Sequence, residues 1–124
     1  MNNMYIKELK PNQIFCFGSN LEGAHAGGAA KQAHEHFGAI WGQGYGPQGE
    51  SYAIPTIDYD MKILPLKDIR LYLKLFSHFA KRMTHQEFLL TPIGTGIAGY
   101  SIEEIKSIMP IMPPNVIRVG DWEK

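Results

Sequence analysis

The sequence has a single cysteine and no long apolar run, and each of these shortages excludes a class of protein. One cysteine, Cys16, cannot form an internal disulfide, and its position in the apolar run Ile-Phe-Cys-Phe is typical of a small core residue. No run approaches the ~18 apolar residues that a membrane-spanning helix requires, and the N-terminal segment lacks the apolar region of a signal peptide. We therefore expect a cytoplasmic protein that does not associate with membranes.

The sequence also lacks net charge. Its 12 lysines and arginines balance its 12 aspartates and glutamates, so it has neither a broad basic surface for nucleic acid nor an acidic tail. The length of 124 residues fits one domain covering residues 1–124. The oligomeric state is left open by these observations.

The apolar patterns predict strands that alternate with helices. Strands are predicted at residues 14–17, 51–54, 87–91 and 116–119, and helices at residues 27–37, 66–83 and from the N-cap Ser101 to about Pro110. Residues 42–49 hold four glycines and one proline, which favour neither a helix nor a strand. This alternation predicts a single three-layer α/β/α sandwich with a mostly parallel or mixed sheet, in which residues 14–17 form a central buried strand.

Three unusual loops follow predicted strands, after Phe17, after Ile54 and after Leu90. Because ligands of open α/β sheets bind beyond the carboxyl ends of the strands, this position is the main functional signal of the pattern. Two of these loops are rich in glycine: the first glycine loop spans residues 18–28 and the second spans residues 94–99. We expect them to lie side by side.

Both glycine loops precede a predicted helix, and this arrangement is typical of a phosphate site. Free backbone N–H groups and the helix dipole attract an anion, and glycines such as Gly27 and Gly28 let it approach the backbone. Taken alone, either loop is equally consistent with glycines that only form a tight turn. Taken together, two such loops favour a diphosphate ligand.

Several familiar sites are absent. The chain has no Gly-Lys-Ser/Thr phosphate loop and no Gly-x-Ser-x-Gly elbow, and Gly-Ser-Asn-Leu-Glu-Gly of the first glycine loop does not match the Gly-x-Gly-x-x-Gly dinucleotide fingerprint. His34 and His36 are two residues apart on a predicted helix and point in different directions, so we predict no metal and no resident cofactor. His25 lies inside the first glycine loop and is either functional or a loop histidine without a role. Asp58 and Asp60 are interpreted as part of a solvated loop.

The residues of both glycine loops resemble those of macro domains. NLEGAHAGGAA (residues 20–30) is similar to their strand–loop–helix, and LTPIGTGIAGY (residues 90–100) is similar to their Pro-x-Ile-x-Thr-Gly-x-x-Gly-Tyr segment. The similarity covers residues 14–38 and 88–105. FGSNL (residues 17–21) together with SYAIPT (residues 51–56) also resembles a group of small phage and bacterial macro-like proteins.

This resemblance implies a small-molecule ligand, ADP-ribose or a related nucleotide, and in some members hydrolysis of an ADP-ribosyl linkage. It implies that Asn20 contacts the distal ribose. It further implies that the ligand-binding residues are Gly18, Ser19, Asn20, Gly27, Gly28 and Ala29 in the first loop and Gly94, Thr95, Gly96, Ile97, Ala98, Gly99 and Tyr100 in the second.

Two departures from the family pattern affect these expectations. The aspartate that usually accepts from the adenine amino group is absent from residues 9–13, so base selectivity is left open. The insert at residues 42–49 has no clear family counterpart, and its Gln43 and Tyr45, together with Trp41, are equally consistent with a stacking wall for a base, a mobile lid or ordinary surface packing.

Two functions remain open at this point, an ADP-ribosyl hydrolase and a non-catalytic module that binds a nucleotide or a partner protein. In a hydrolase, Asn20 would orient a water molecule, and His25 would take the proton because it is the nearest titratable residue in the sequence and free histidine has a pKa close to neutral. The alternative base is a phosphate of the substrate itself.

Overall fold

The structure is a computed structural model that describes residues 6–123. It contains a five-stranded sheet in the order β2-β3-β1-β4-β5. The strands are β1 (Gln13–Asn20), β2 (Gly46–Gln48), β3 (Ser51–Ile57), β4 (Glu87–Leu90) and β5 (Val116–Arg118). β1 pairs in parallel with β3 and with β4, β4 pairs in parallel with β5, and β2 is antiparallel to β3. The predicted α/β class with a mixed sheet is confirmed, and so is the central position of β1.

Three helices complete the described part of the chain: α1 (Gly28–His36), α2 (Leu66–Arg82) and α3 (Ile102–Ser107). Two apolar clusters lie against the sheet because successive residues of β1 alternate between its faces. Phe15 and Phe17 belong to the cluster that includes Ala33 of α1. Ile14 and Cys16 belong to the cluster that includes α2 and α3. β1 is therefore buried on both sides, which explains its uninterrupted apolar sequence.

The start of α3 was predicted correctly from local sequence signals. The Ser101 hydroxyl accepts from the Glu104 backbone N–H at 3.1 Å, and the Glu104 carboxylate accepts from the Ser101 N–H at 2.9 Å. This is the predicted capping box, and it satisfies two N–H groups that the first turn leaves without helical partners. The helix ends at Ser107, before the predicted boundary near Pro110.

The prediction that residues 42–49 contain no strand was wrong, because Gly46–Gln48 forms β2. Pro47 lies opposite Tyr52 in the edge strand of the sheet. An edge strand pairs with a neighbour on one side, so a proline, which has no N–H group, is tolerated there. A three-residue edge strand with proline at its centre carries no periodic apolar pattern. The composition of this segment therefore concealed it.

The described helices include none with the length and apolar character needed to cross a membrane.

Candidate functional site

A cleft of about 750 Å³ opens where β1, β3 and β4 end. Both glycine loops line it, so the structure brings together the two segments that were predicted to lie side by side. The pairing of β1 with β3 shifts between Ser19 and Asn20, at the point where the two strands reach the cleft. Such irregularities re-aim the backbone beside a binding site. The lining residues include Gly18, Ser19, Asn20, Gly27, Gly28 and Ala29 from the first side and Gly94, Thr95, Gly96, Ile97 and Ala98 from the second.

At two glycines of the cleft, neither the backbone conformation nor the packing requires a glycine. Gly27 has an extended backbone, with φ of −152°, and a Cβ added to it or to Gly96 would meet no heavy atom within 4 Å. Gly94 is different, since its φ is +81° and a Cβ there would lie 2.8 Å from Cδ1 of Ile105. Turn geometry and packing therefore explain Gly94 but not Gly27 or Gly96. At both positions the absence of a side chain leaves the backbone accessible from the cleft.

The N-terminus of α1 opens into the same cleft without a cap. Gly27 is the N-cap residue, no side chain caps the helix, and the first turn holds no acidic residue. The first N–H groups of a helix have no intrahelical acceptor, and the helix dipole places partial positive charge beside them. Gly28, Ala29 and Ala30 line the cleft at this point. The arrangement is suited to an anion such as phosphate.

The hydroxyl groups of the cleft are directed to backbone carbonyls. Ser19 donates to Gly44 O at 2.5 Å, Thr56 to Ser19 O at 3.3 Å, Thr91 to Cys16 O at 2.7 Å and Thr95 to Pro92 O at 2.7 Å. Their protons are used within the protein. Donation to a ligand therefore falls mainly to backbone N–H groups of the two loops.

Asn20 lines the cleft and also holds the first glycine loop in shape. Its Nδ2 donates to Ala24 O at 3.0 Å, and its Oδ1 accepts from the Ala24 N–H at 2.9 Å. An amide can donate twice and accept twice, so one donor proton and one lone pair remain for a ligand.

His25 does not reach the cleft. Its side chain is 1% exposed and its ring packs edge-on against Phe17, with ring centres 5.3 Å apart. Nε2 lies 3.3 Å from Oε1 of Gln48, which can only accept, so Nε2 is the donor of this contact. Nδ1 is buried without a hydrogen-bond partner. This position does not suit the predicted role of His25 in handling a proton of the substrate.

Gly99 and Tyr100 also lie outside the cleft lining. Tyr100 donates its N–H to Gly94 O at 2.9 Å and its hydroxyl to Leu64 O at 2.7 Å. The two residues therefore close the second loop and tie it to the segment before α2.

The insert at residues 42–49 supports the first glycine loop from behind. The Gly42 N–H donates to Gly23 O at 2.9 Å, and a Cβ on Gly44 would collide with the backbone of Asn20 and Leu21. Trp41 stacks edge-on against His34, at 5.5 Å between ring centres, and Tyr45 contacts Tyr72 at 5.4 Å. None of Trp41, Gln43 and Tyr45 lines the cleft, so the structure does not place the predicted stacking wall there.

Sequence reasoning noted the loop after Ile54 but assigned none of its residues to the site, and the turn after β3 brings Met61 into the cleft beside Thr56 and Ile57. Asp58, interpreted from the sequence as a solvated residue, organises this turn. Its Oδ1 accepts from the N–H groups of Asp60 at 2.8 Å and Lys62 at 2.9 Å. The strand-end position of the loop was the available signal, and no motif pointed to Met61 itself.

Within residues 6–123, no three histidine, cysteine, aspartate or glutamate side chains gather as a metal site. Comparisons with protein families, with curated proteins and with solved structures found no match. The resemblance to macro domains therefore depends on the two sequence segments alone.

Proposed function

We propose that the cleft binds ADP-ribose or a related nucleoside diphosphate-ribose. We further propose that the sheet and its helices form a three-layer α/β/α sandwich of the macro-domain type. The observation that carries this proposal is the pair Gly27 and Gly96, two glycines that the fold itself does not require and that line the same cleft. The uncapped N-terminus of α1 supports it, because it leaves backbone donors for a diphosphate.

In this proposal the diphosphate lies between the first turn of α1 and the second glycine loop. Lys31 lines the cleft with an exposed side chain and adds a positive charge on that wall. Asn20 offers its remaining donor and acceptor to a ribose hydroxyl. The site is therefore built mainly from backbone groups, as the sequence motifs suggested.

Binding without hydrolysis is the form of the proposal that the side chains favour. A general base must lie within hydrogen-bond reach of the water that it activates. Among the described residues that line the cleft, the titratable side chains are those of Lys31 and Glu35. Glu35 follows Gly28 by seven residues of α1, about 10 Å along the helix from the phosphate end. Hydrolysis would then require a phosphate of the substrate as the base.

A thermal-shift panel of ADP-ribose, NAD, AMP and ribose 5-phosphate tests the binding proposal. A ligand at 100 times its Kd adds about 2.7 kcal/mol to the free energy of unfolding, so ADP-ribose should raise Tm clearly. A panel without any shift would refute the proposal.

The catalytic alternative is tested with a mono-ADP-ribosylated peptide. We expect tight binding of ADP-ribose and no release of ADP-ribose from the peptide. Release at a steady rate by the wild-type protein would establish the hydrolase instead, and unchanged rates in both His25→Phe and Glu35→Gln would then assign the proton transfer to the substrate.

A further inference from the structure

Two large apolar side chains line the cleft and remain exposed to water. Met61 is 55% exposed and Ile97 is 82% exposed. They come from different loops, Met61 from the turn after β3 and Ile97 from the second glycine loop. Exposed apolar side chains in a concave site are typical of a surface that a ligand covers.

The backbone of Met61 adds a second, independent observation. Its φ is +62°, in the left-handed region that a long side chain such as methionine rarely adopts. The turn holds this conformation through several bonds, including Asp58 N–H to Lys62 O at 2.8 Å and Met61 N–H to Asp58 O at 3.1 Å. Glycine or asparagine would fit this backbone better. The Met61 side chain is half exposed, so it does not offset the unfavourable backbone by packing in the core. Unfavourable backbone of this kind concentrates at ligand sites.

Asn12 provides the comparison within the same chain. It is the other non-glycine residue with positive φ among residues 6–123, at +70°. Asparagine tolerates this conformation, and Asn12 precedes β1 at the opposite end of the sheet from the cleft. Residue type therefore explains Asn12 but not Met61.

We propose that Met61 and Ile97 form an apolar clamp on the nucleobase of the bound nucleotide, an inference that rests on the proposed function. A nucleobase presents two flat faces that apolar side chains cover well, and the methionine sulfur makes favourable contacts with aromatic rings. No aromatic side chain is found among the described residues that line the cleft. Met61 and Ile97 are the exposed apolar groups available to take that role.

The test compares four proteins by calorimetry with ADP-ribose: wild type, Met61→Gly, Met61→Asn and Met61→Leu. Glycine and asparagine relieve the left-handed backbone and remove the apolar contact, so their Tm should not fall while affinity drops about tenfold. Leucine keeps the apolar bulk, so its affinity should stay within about threefold of wild type. Asn12→Gly, which relieves a similar backbone far from the cleft, should leave affinity unchanged.

Ribose 5-phosphate, used as a competitor, separates the base from the rest of the ligand. Because it lacks a base, it should compete equally well in wild type and in Met61→Gly. Equal ADP-ribose affinity in wild type and Met61→Gly would overturn the clamp and leave the proposed function intact, and so would equal weakening of both ligands. A wild-type protein that binds no ADP-ribose would refute the proposed function and the clamp with it.

Discussion

Gly94 and Gly96 are two residues apart in the second glycine loop, yet the structure gives them different roles. Gly94 is required by the fold, because its φ is +81° and Ile105 occupies the space beside it. Gly96 faces open space within the cleft. The sequence motif alone cannot distinguish these two roles, because both residues are glycine. The distinction is visible only once the neighbours of each residue are known.

We expect Gly96→Glu to abolish ADP-ribose binding while Tm stays near that of wild type, because the added side chain enters the cleft and repels a diphosphate. Gly94→Ala should instead lower the free energy of unfolding. A left-handed alanine costs about 1–2 kcal/mol, so Tm should fall by roughly 5 °C or more. Differential scanning fluorimetry and calorimetry with ADP-ribose measure both effects. Gly96→Glu protein that binds normally would show that the second loop is only a turn.

Helix α1 is the element on which the proposed anion site depends, and Gly27 at its N-cap position has no side chain. Asp at an N-cap accepts from the second or third N–H of the helix and interacts favourably with the dipole, by a few tenths to about 1 kcal/mol. In α1 these donors belong to Ala29 and Ala30, which line the cleft. An optimal cap would therefore occupy the groups that the ligand needs.

Gly27→Asp should accordingly raise Tm and abolish ADP-ribose binding in the same protein. Gly27→Asn is the matched control, since it caps the helix without adding charge; its loss of affinity should be smaller. Unchanged affinity in Gly27→Asp would show that no anion binds at this helix terminus, whatever the effect on stability.

The elements that could be predicted from the sequence are those specified by neighbouring residues. The apolar run of β1, the stripe of α2 and the capping box of α3 are all local patterns, and all three appear in the structure. β2 was missed because its pairing with β3 outweighs a composition that disfavours strands. His25 is buried and its Nε2 contacts Gln48, 23 residues away, and no local pattern reports such a contact.

At the scale of the whole molecule, the site arises from strand order. β1 and β4 are adjacent and parallel although their sequences are about 70 residues apart, so the loops that follow them meet at one edge of the sheet. The general rule for parallel sheets was enough to predict that meeting. It could not predict which side chains turn into the cleft, because the Asp58 turn and the support from residues 42–49 are tertiary features.

The same two-sided burial that places β1 at the centre makes the stability of the molecule sensitive to alkaline pH. Burial raises the pKa of the Cys16 thiol, and burial raises the pKa of the Tyr52 hydroxyl, with Tyr45 adding to the latter. The folded chain then retains protons that the unfolded chain releases. The contribution is complete below the unfolded pKa, near 8.5 for cysteine and 10 for tyrosine, and is lost as pH rises further.

We therefore expect the free energy of unfolding to decline above pH 8.5 with a slope approaching about 1.4 kcal/mol per pH unit for each proton retained. Urea unfolding under reducing conditions between pH 7 and 10 measures this slope. Cys16→Ala loses core packing and lowers stability at every pH, but its curve should be flatter between pH 8.5 and 10. Tyr52→Phe should match wild type in slope up to about pH 9 and become flatter than wild type toward pH 10, where an unfolded tyrosine is about half ionised. Parallel curves for wild type and Cys16→Ala would mean that the thiol ionises as readily in the folded protein as in the unfolded chain, and would contradict a pKa raised by its burial at the centre of the sheet.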